Sequence, residues 1–109
     1  MTFETHEPAR VTPVAQPFGL RVSGEIDWSN RRLLADALEW ALTSDDRDIR
    51  LDLSGLTFID VAGLRLIVAV AARLSPPRGL ILSSASPLTL RLLDLTGWEH
   101  EPGLSVIRN

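Results

Sequence analysis

The sequence predicts a small two-layer α/β sandwich: a four- to five-stranded mixed sheet with helices mainly on one face. Three observations carry this. The chain has 109 residues, enough for one domain and one core but not for two. After residue 18, strand-like segments alternate with segments of helical periodicity, and every connection is short, the pattern of largely parallel strands. In residues 49–53, Ile49, Leu51 and Leu53 alternate with Arg50 and Asp52, so this strand keeps one wet or weakly covered face and the helices crowd the other.

Each element has its own signal. Residues 1–16, punctuated by Pro8 and Pro13, read as a tail with a short edge strand near 10–14, and residues 17–109 as the domain. Leu20 and Val22 mark a strand over 18–23 that turns out at Gly24-Glu25. Ser29 can cap a helix whose Leu34, Ala37, Leu38, Ala41 and Leu42 share a face, and Ser44-Asp45-Asp46 is a polar link. After the strand at 49–53, Leu56 and Phe58 lie in a short connection ending at Asp60. A second helix spans 61–74 and is closed by Ser75-Pro76-Pro77; a strand over 79–84 follows. Ser86 and Pro87 open a third helix, as N-cap and first helical residue, and Gly97 stops it. A last strand covers 104–107.

Composition excludes several functions. Apolar residues make up 45% and charged residues 23%, so the chain is not predominantly disordered. The formal charge is −3 with no basic stripe, and all 11 basic residues are scattered arginines, which argues against nucleic acid as partner. Without cysteine there is no disulfide, thiolate nucleophile or thiolate metal site. The first residues carry Glu4, His6 and Glu7 where an export signal would be basic and then apolar. The longest apolar run covers 66–72, far short of the roughly twenty residues of a membrane span. A cytoplasmic protein without direct membrane insertion is expected.

Chemistry is sparsely represented. His6 falls in the tail and His100 in the loop after the third helix, neither on a rigid element where ligands or acid–base pairs converge. Asp45, Asp46 and Asp48 lack the alternating ligands and glycine turn of an oxygen cage and read as a solvated linker. Gly19, Gly24 and Gly55 form no phosphate-cradling loop. No catalytic residue, metal or cofactor is expected.

The second helix is the informative element. Eleven residues of 61–74 are apolar, the others being Gly63, Arg65 and Arg73. A helix on one face of a sandwich should be amphipathic. With Leu64, Ile67, Val68, Ala71 and Leu74 on the sheet, Val61, Arg65, Ala69 and Ala72 face outward, where they either meet a partner or lie under neighbouring helices. Asp60 is placed to cap the helix, with a charge-sensing role as the alternative.

Gly24-Glu25-Ile26-Asp27, residues 52–60 (Asp-Leu-Ser-Gly-Leu-Thr-Phe-Ile-Asp) and Ala62-Gly63-Leu64 together resemble the STAS family, which includes bacterial anti-sigma factor antagonists and regulatory domains of anion transporters. The resemblance runs from about residue 17 to the end. It implies a non-enzymatic interaction module that docks an anti-sigma factor kinase through the loop and helix beginning at Asp60. The contact residues would be Asp60, Val61, Ala62, Arg65, Ala69 and Ala72, bordered by Ser54 and Thr57. In typical antagonists a serine or threonine directly after the motif aspartate is phosphorylated, and the added charge breaks the contact. Here that position is Val61, followed by Ala62, and no hydroxyl lies between 61 and 74. Asp60-Val61-Ala62-Gly63-Leu64 also looks like the small STAS subunit that docks on the ATPase of a bacterial lipid-transport complex. Ligand or nucleotide sensing is the third possibility that the resemblance leaves open.

Overall fold

The computed structural model describes residues 3–4 and 9–108; His6 and most of the predicted tail lie outside them. Six strands stand in sequential order in one sheet: β1 (Phe3–Glu4), β2 (Ala9–Ala15), β3 (Phe18–Ile26), β4 (Ile49–Ile59), β5 (Leu80–Ser83) and β6 (Leu104–Val106). The first three pair antiparallel, while β3 to β6 run parallel. Helices α1 (Arg31–Ser44), α2 (Val61–Arg73) and α3 (Pro87–Thr96) make the crossovers, with a 3₁₀ turn at Trp98–His100. Such crossovers are right-handed, which for parallel strands in sequential order puts all three helices on one face. Burial agrees: Leu20, Val22, Ile49, Leu51, Leu53, Leu80 and Leu82 are buried toward the helices, whereas Arg21, Arg50, Asp52 and Ile81 are not. The two-layer mixed α/β fold is therefore as the sequence predicts, with the two-residue β1 adding a sixth strand to the four or five expected. No helix of the described residues is long and apolar enough to cross a membrane.

Three elements differ from their sequence signals, each for a physical reason. The edge strand near 10–14 is the longer β2, bonded to β3 along its whole length from Ala9↔Gly24 to Ala15↔Phe18. Ala9 and Val11 enter the core, so the boundary drawn between residues 16 and 17 falls at a hairpin turn inside the sheet. Ser29 does not cap α1. Its backbone N–H and hydroxyl both donate to the Asp27 carboxylate, at 2.9 and 2.6 Å, and Asn30 is the cap residue, without a side-chain bond to the helix.

The third difference positions the site. Leu56 and Phe58 belong to β4, not to a connection, and β3 likewise continues past Ser23 to Ile26. The pairing of β3 with β4 slips between Arg21 and Ser23 and again between Gly24 and Glu25. Alternation is lost across such irregularities, so the second half of β4 has no two-residue rhythm to read. Gly55 permits the close approach: a Cβ there would stand 2.8 Å from that of Ser23. The remaining ends agree closely with expectation. Ser86 caps α3, accepting from the Thr89 N–H at 3.1 Å, and Gly97 closes it in the left-handed conformation (φ 76°).

Candidate protein-contact face

Because α1, α2 and α3 each follow a parallel strand, their first turns stand together at the carboxyl end of the sheet. Asp60 locks this end. Its Oδ1 accepts from the Gly63 N–H at 2.7 Å, and its Oδ2 accepts from Arg31 Nη2 at 3.1 Å. Its backbone N–H donates to the Ile26 carbonyl at 3.1 Å. One residue thus ties α2 to α1 and to β3, as a capping aspartate favoured by the helix dipole. Gly63 is part of the same joint: a Cβ would lie 2.9 Å from Ile59 Cγ1 and 3.1 Å from Asp60 Oδ1.

The outward side of α2 is open. Gly63, Leu64, Ile67, Val68, Val70 and Ala71 are buried, while Val61, Ala62, Arg65, Ala69 and Ala72 are exposed. Of the two dispositions the sequence allows for this stripe, burial under neighbouring helices is not realised. Thr57 is also exposed at the rim, its hydroxyl donating to the Gly24 carbonyl at 3.0 Å. Ser54 departs from expectation. It sits on the opposite, uncovered face of the sheet beside Arg50 and Asp52, because the strand has alternated once past Leu53. It is not brought to the helix stripe.

Sequence reasoning missed the largest apolar group at this end. Trp28 is 81% exposed, and Phe58, Val61, Leu88 and Ile107 are exposed at the same carboxyl edge. Its turn is braced on both sides. Asn30 is buried, accepts from the Asp27 N–H at 2.9 Å and donates to the Glu25 carbonyl at 2.8 Å, while Asp27 holds Ser29. The signal, an aromatic residue within the polar run Asp-Trp-Ser-Asn, was available but unread. Beside Trp28 a groove of about 480 Å³ runs between α1 and α2, lined by Arg31, Arg32, Ala35, Asp36 and Leu66. An exposed tryptophan on a braced turn is the kind of anchor that dominates protein interfaces.

Hydrogen bonds from the Ser29 hydroxyl and then its N–H hold the Asp27 carboxyl below its ordinary 3.8. A depressed carboxylate favours the folded turn above its ordinary value and loses that effect as pH falls through the folded-state value. Ser29→Ala is therefore expected to move the Asp27 titration upward, back toward its ordinary value, followed by the carboxyl carbon shift in NMR. An unmoved titration would mean that the hydroxyl does not brace the turn.

His100 and the linker carboxylates Asp45 and Asp48 each have separate partners. His100 is exposed, with its Nε2 3.6 Å from Glu99. Asp45 is engaged by Arg47, and Asp48 accepts from the Gly79 N–H. No three His, Asp or Glu side chains among the described residues come together as metal ligands would.

A family model described as "Mlab, STAS domain" matches residues 10–108. An anti-sigma factor antagonist from Mycobacterium paratuberculosis, known from its crystal structure, is similar to this chain with a TM-score of 0.71 and 25% identity, over 96% of this chain and 84% of that one. No curated protein matches.

Proposed function

This chain belongs to the STAS domain family, and from that premise we propose that it is a non-enzymatic protein-binding module of the anti-sigma factor antagonist type. The observation that carries the reading is the open outward stripe of α2, Val61, Ala62, Arg65, Ala69 and Ala72, on the helix whose Leu66 shares a groove with exposed Trp28. Isolated apolar residues on a surface are ordinary, but a contiguous stripe on a rigid helix beside an anchored tryptophan fits a partner. The partner would be an anti-sigma factor of the kinase-like class. Asp60 contributes by fixing the helix start; its carboxylate is already engaged by Arg31 and Gly63.

Control by phosphate at the start of α2 is absent from this reading, because Val61 and Ala62 carry no hydroxyl. Binding would be constitutive at that point. Val61→Ser, given the partner and ATP, is expected to gain phosphate in residues 58–65 and to lose affinity, since about −1.5 to −2 charges would enter an apolar contact. The natural chain gains none there. Mass spectrometry of that peptide, with titration calorimetry of the same samples, checks both statements.

A second reading rests on Asp60-Val61-Ala62-Gly63-Leu64, which resembles the small STAS subunit that docks on a lipid-transport ATPase. Both readings use the same face. Affinity capture with the natural chain and with an Ala69→Glu control separates them: a kinase-like anti-sigma factor lost only with the variant supports the first, a transporter ATPase lost in that way supports the second. A captured protein indifferent to the substitution counts against both.

A further inference from the structure

The face of the sheet that no helix of the described residues covers contains a groove with one guanidinium that no protein group among them engages. Gly19 pairs with Arg50 and Arg21 with Asp52 across β3 and β4, and Asp52 pairs with Ser83 across β4 and β5. Side chains alternate along a strand, so Arg21, Arg50, Asp52 and Ser83 stand on the face away from Leu51 and the helices. A concavity of about 470 Å³ lies over them, reaching from Val14, Gln16 and Pro17 at the β2–β3 turn to Ser84 beyond β5.

The charges there are unequally satisfied. Asp52 accepts from Arg21 Nε at 3.1 Å and from the Ser54 N–H at 2.9 Å. Arg50 is part-buried, yet no hydrogen bond or ion pair from the described residues reaches its guanidinium. Its neighbours across the strands are Gly19, which has no side chain to offer, and apolar Ile81. A guanidinium presents five donors in a planar fork that matches a carboxylate or phosphate. A part-buried fork left to water is therefore poised for such a group.

The surroundings fix which side of Arg50 would be used. Toward the amino ends of the strands, Arg47 is held by Asp45, and Arg78 donates to the carbonyls of Ala41, Leu42 and Arg47. Asp46 and Asp48 face that side and would repel an anion. On the other side, among the described residues, the only carboxylate lining the groove is Asp52, already engaged, and Gln16, Ser83 and Ser84 offer neutral polar groups. Val14 and Pro17 supply an apolar wall.

We infer that this groove binds a small organic oxyanion, a carboxylate or a phosphate ester, with its charged head on Arg50 and its body along Val14 and Pro17. The site lies on the face opposite α2, so it stands or falls independently of the partner-binding reading.

Titration of the ¹⁵N-labelled full chain with sodium butyrate, and separately with sodium phosphate, at constant ionic strength tests this. At least one probe is expected to shift the Arg50 Nε–H and the amides of residues 16–21, 50–52 and 83–84 saturably, with a Kd of about millimolar. A response to butyrate alone assigns carboxylates, and to phosphate alone phosphates. Arg65 and Arg91, likewise without a partner among the described residues but exposed on helices, serve as internal controls and should not follow. Arg50→Gln should weaken binding about tenfold or more. Arg50→Lys keeps the charge without the fork, should weaken it too, and serves if the glutamine variant melts early. Arg47→Gln should leave it unchanged. No saturable shift with either probe, equal shifts at Arg65 and Arg91, or an unchanged Kd in both Arg50 variants would overturn the site.

Discussion

A glutamate in place of Ala69 is expected to weaken partner binding about a hundredfold while leaving the fold intact. Ala69 is exposed at the middle of the outward stripe of α2, and none of the core residues lies at its position. In the free protein the new carboxylate would stay in water. Arg65, four residues earlier, could pair with it for about 0.3–0.5 kcal/mol, so the melting temperature should hold or rise slightly. In the complex the same carboxylate would be dehydrated against an apolar surface. Burying an unpaired charge costs several kcal/mol, and about 2.7 kcal/mol already corresponds to a hundredfold. Calorimetric titration beside a thermal melt separates the effects. Unchanged affinity with an unchanged melt would remove α2 from the contact. Trp28→Ala tests the neighbouring anchor, with an expected loss of about 2 kcal/mol or more if the tryptophan is a hot spot.

The second large effect concerns the framework that presents this face. Gly19 lies where β3 first meets β4, and a Cβ there would come within 1.9 Å of the Arg50 carbonyl oxygen and 2.7 Å of its amide nitrogen. Both are backbone atoms, so no side chain can swing aside. Gly19→Ala must push apart the two central strands, whose Leu20 and Leu51 are fully buried partners. Overpacking of this kind costs about 1–3 kcal/mol, occasionally more, and the upper end is expected here. For a domain of this size that lowers the midpoint by roughly 12–20 °C. Denaturation followed by circular dichroism reads the change directly. A melt within two or three degrees of the natural protein would mean that the strands can separate cheaply at this point. Gly97→Ala is a useful contrast. No atom stands near a Cβ there, so any cost comes from the left-handed backbone alone, φ 76°.

What could be read from the sequence followed the strength of its periodicity. α2 and α3 carry both helical spacing and end signals, and their limits agree to within a residue. The first half of β4 alternates and was legible; the second half was not, because a slipped pairing with β3 removes the alternation that identifies a strand. Ser29 misled because a hydroxyl before a helix suits a cap, whereas here Asp27 outcompetes the helix for it from two residues away. The outward stripe of α2 was legible because eleven apolar residues cannot all face one sheet. Trp28 and the Arg50 groove were not. Each depends on which turns and faces come together across the sheet, and local spacing does not encode that. Ser54 shows the same limit from the other direction: adjacent in sequence to the motif, it lies on the far face once the strand alternates.

The most direct test of the partner face is hydrogen exchange of the chain, free and saturated with its captured partner. Slowed exchange concentrated in residues 27–32 and 61–72 is the predicted result, with residues 50–54 and 80–84 on the uncovered sheet unaltered. Protection confined to that sheet, with the start of α2 exchanging as fast as in the free chain, would contradict it.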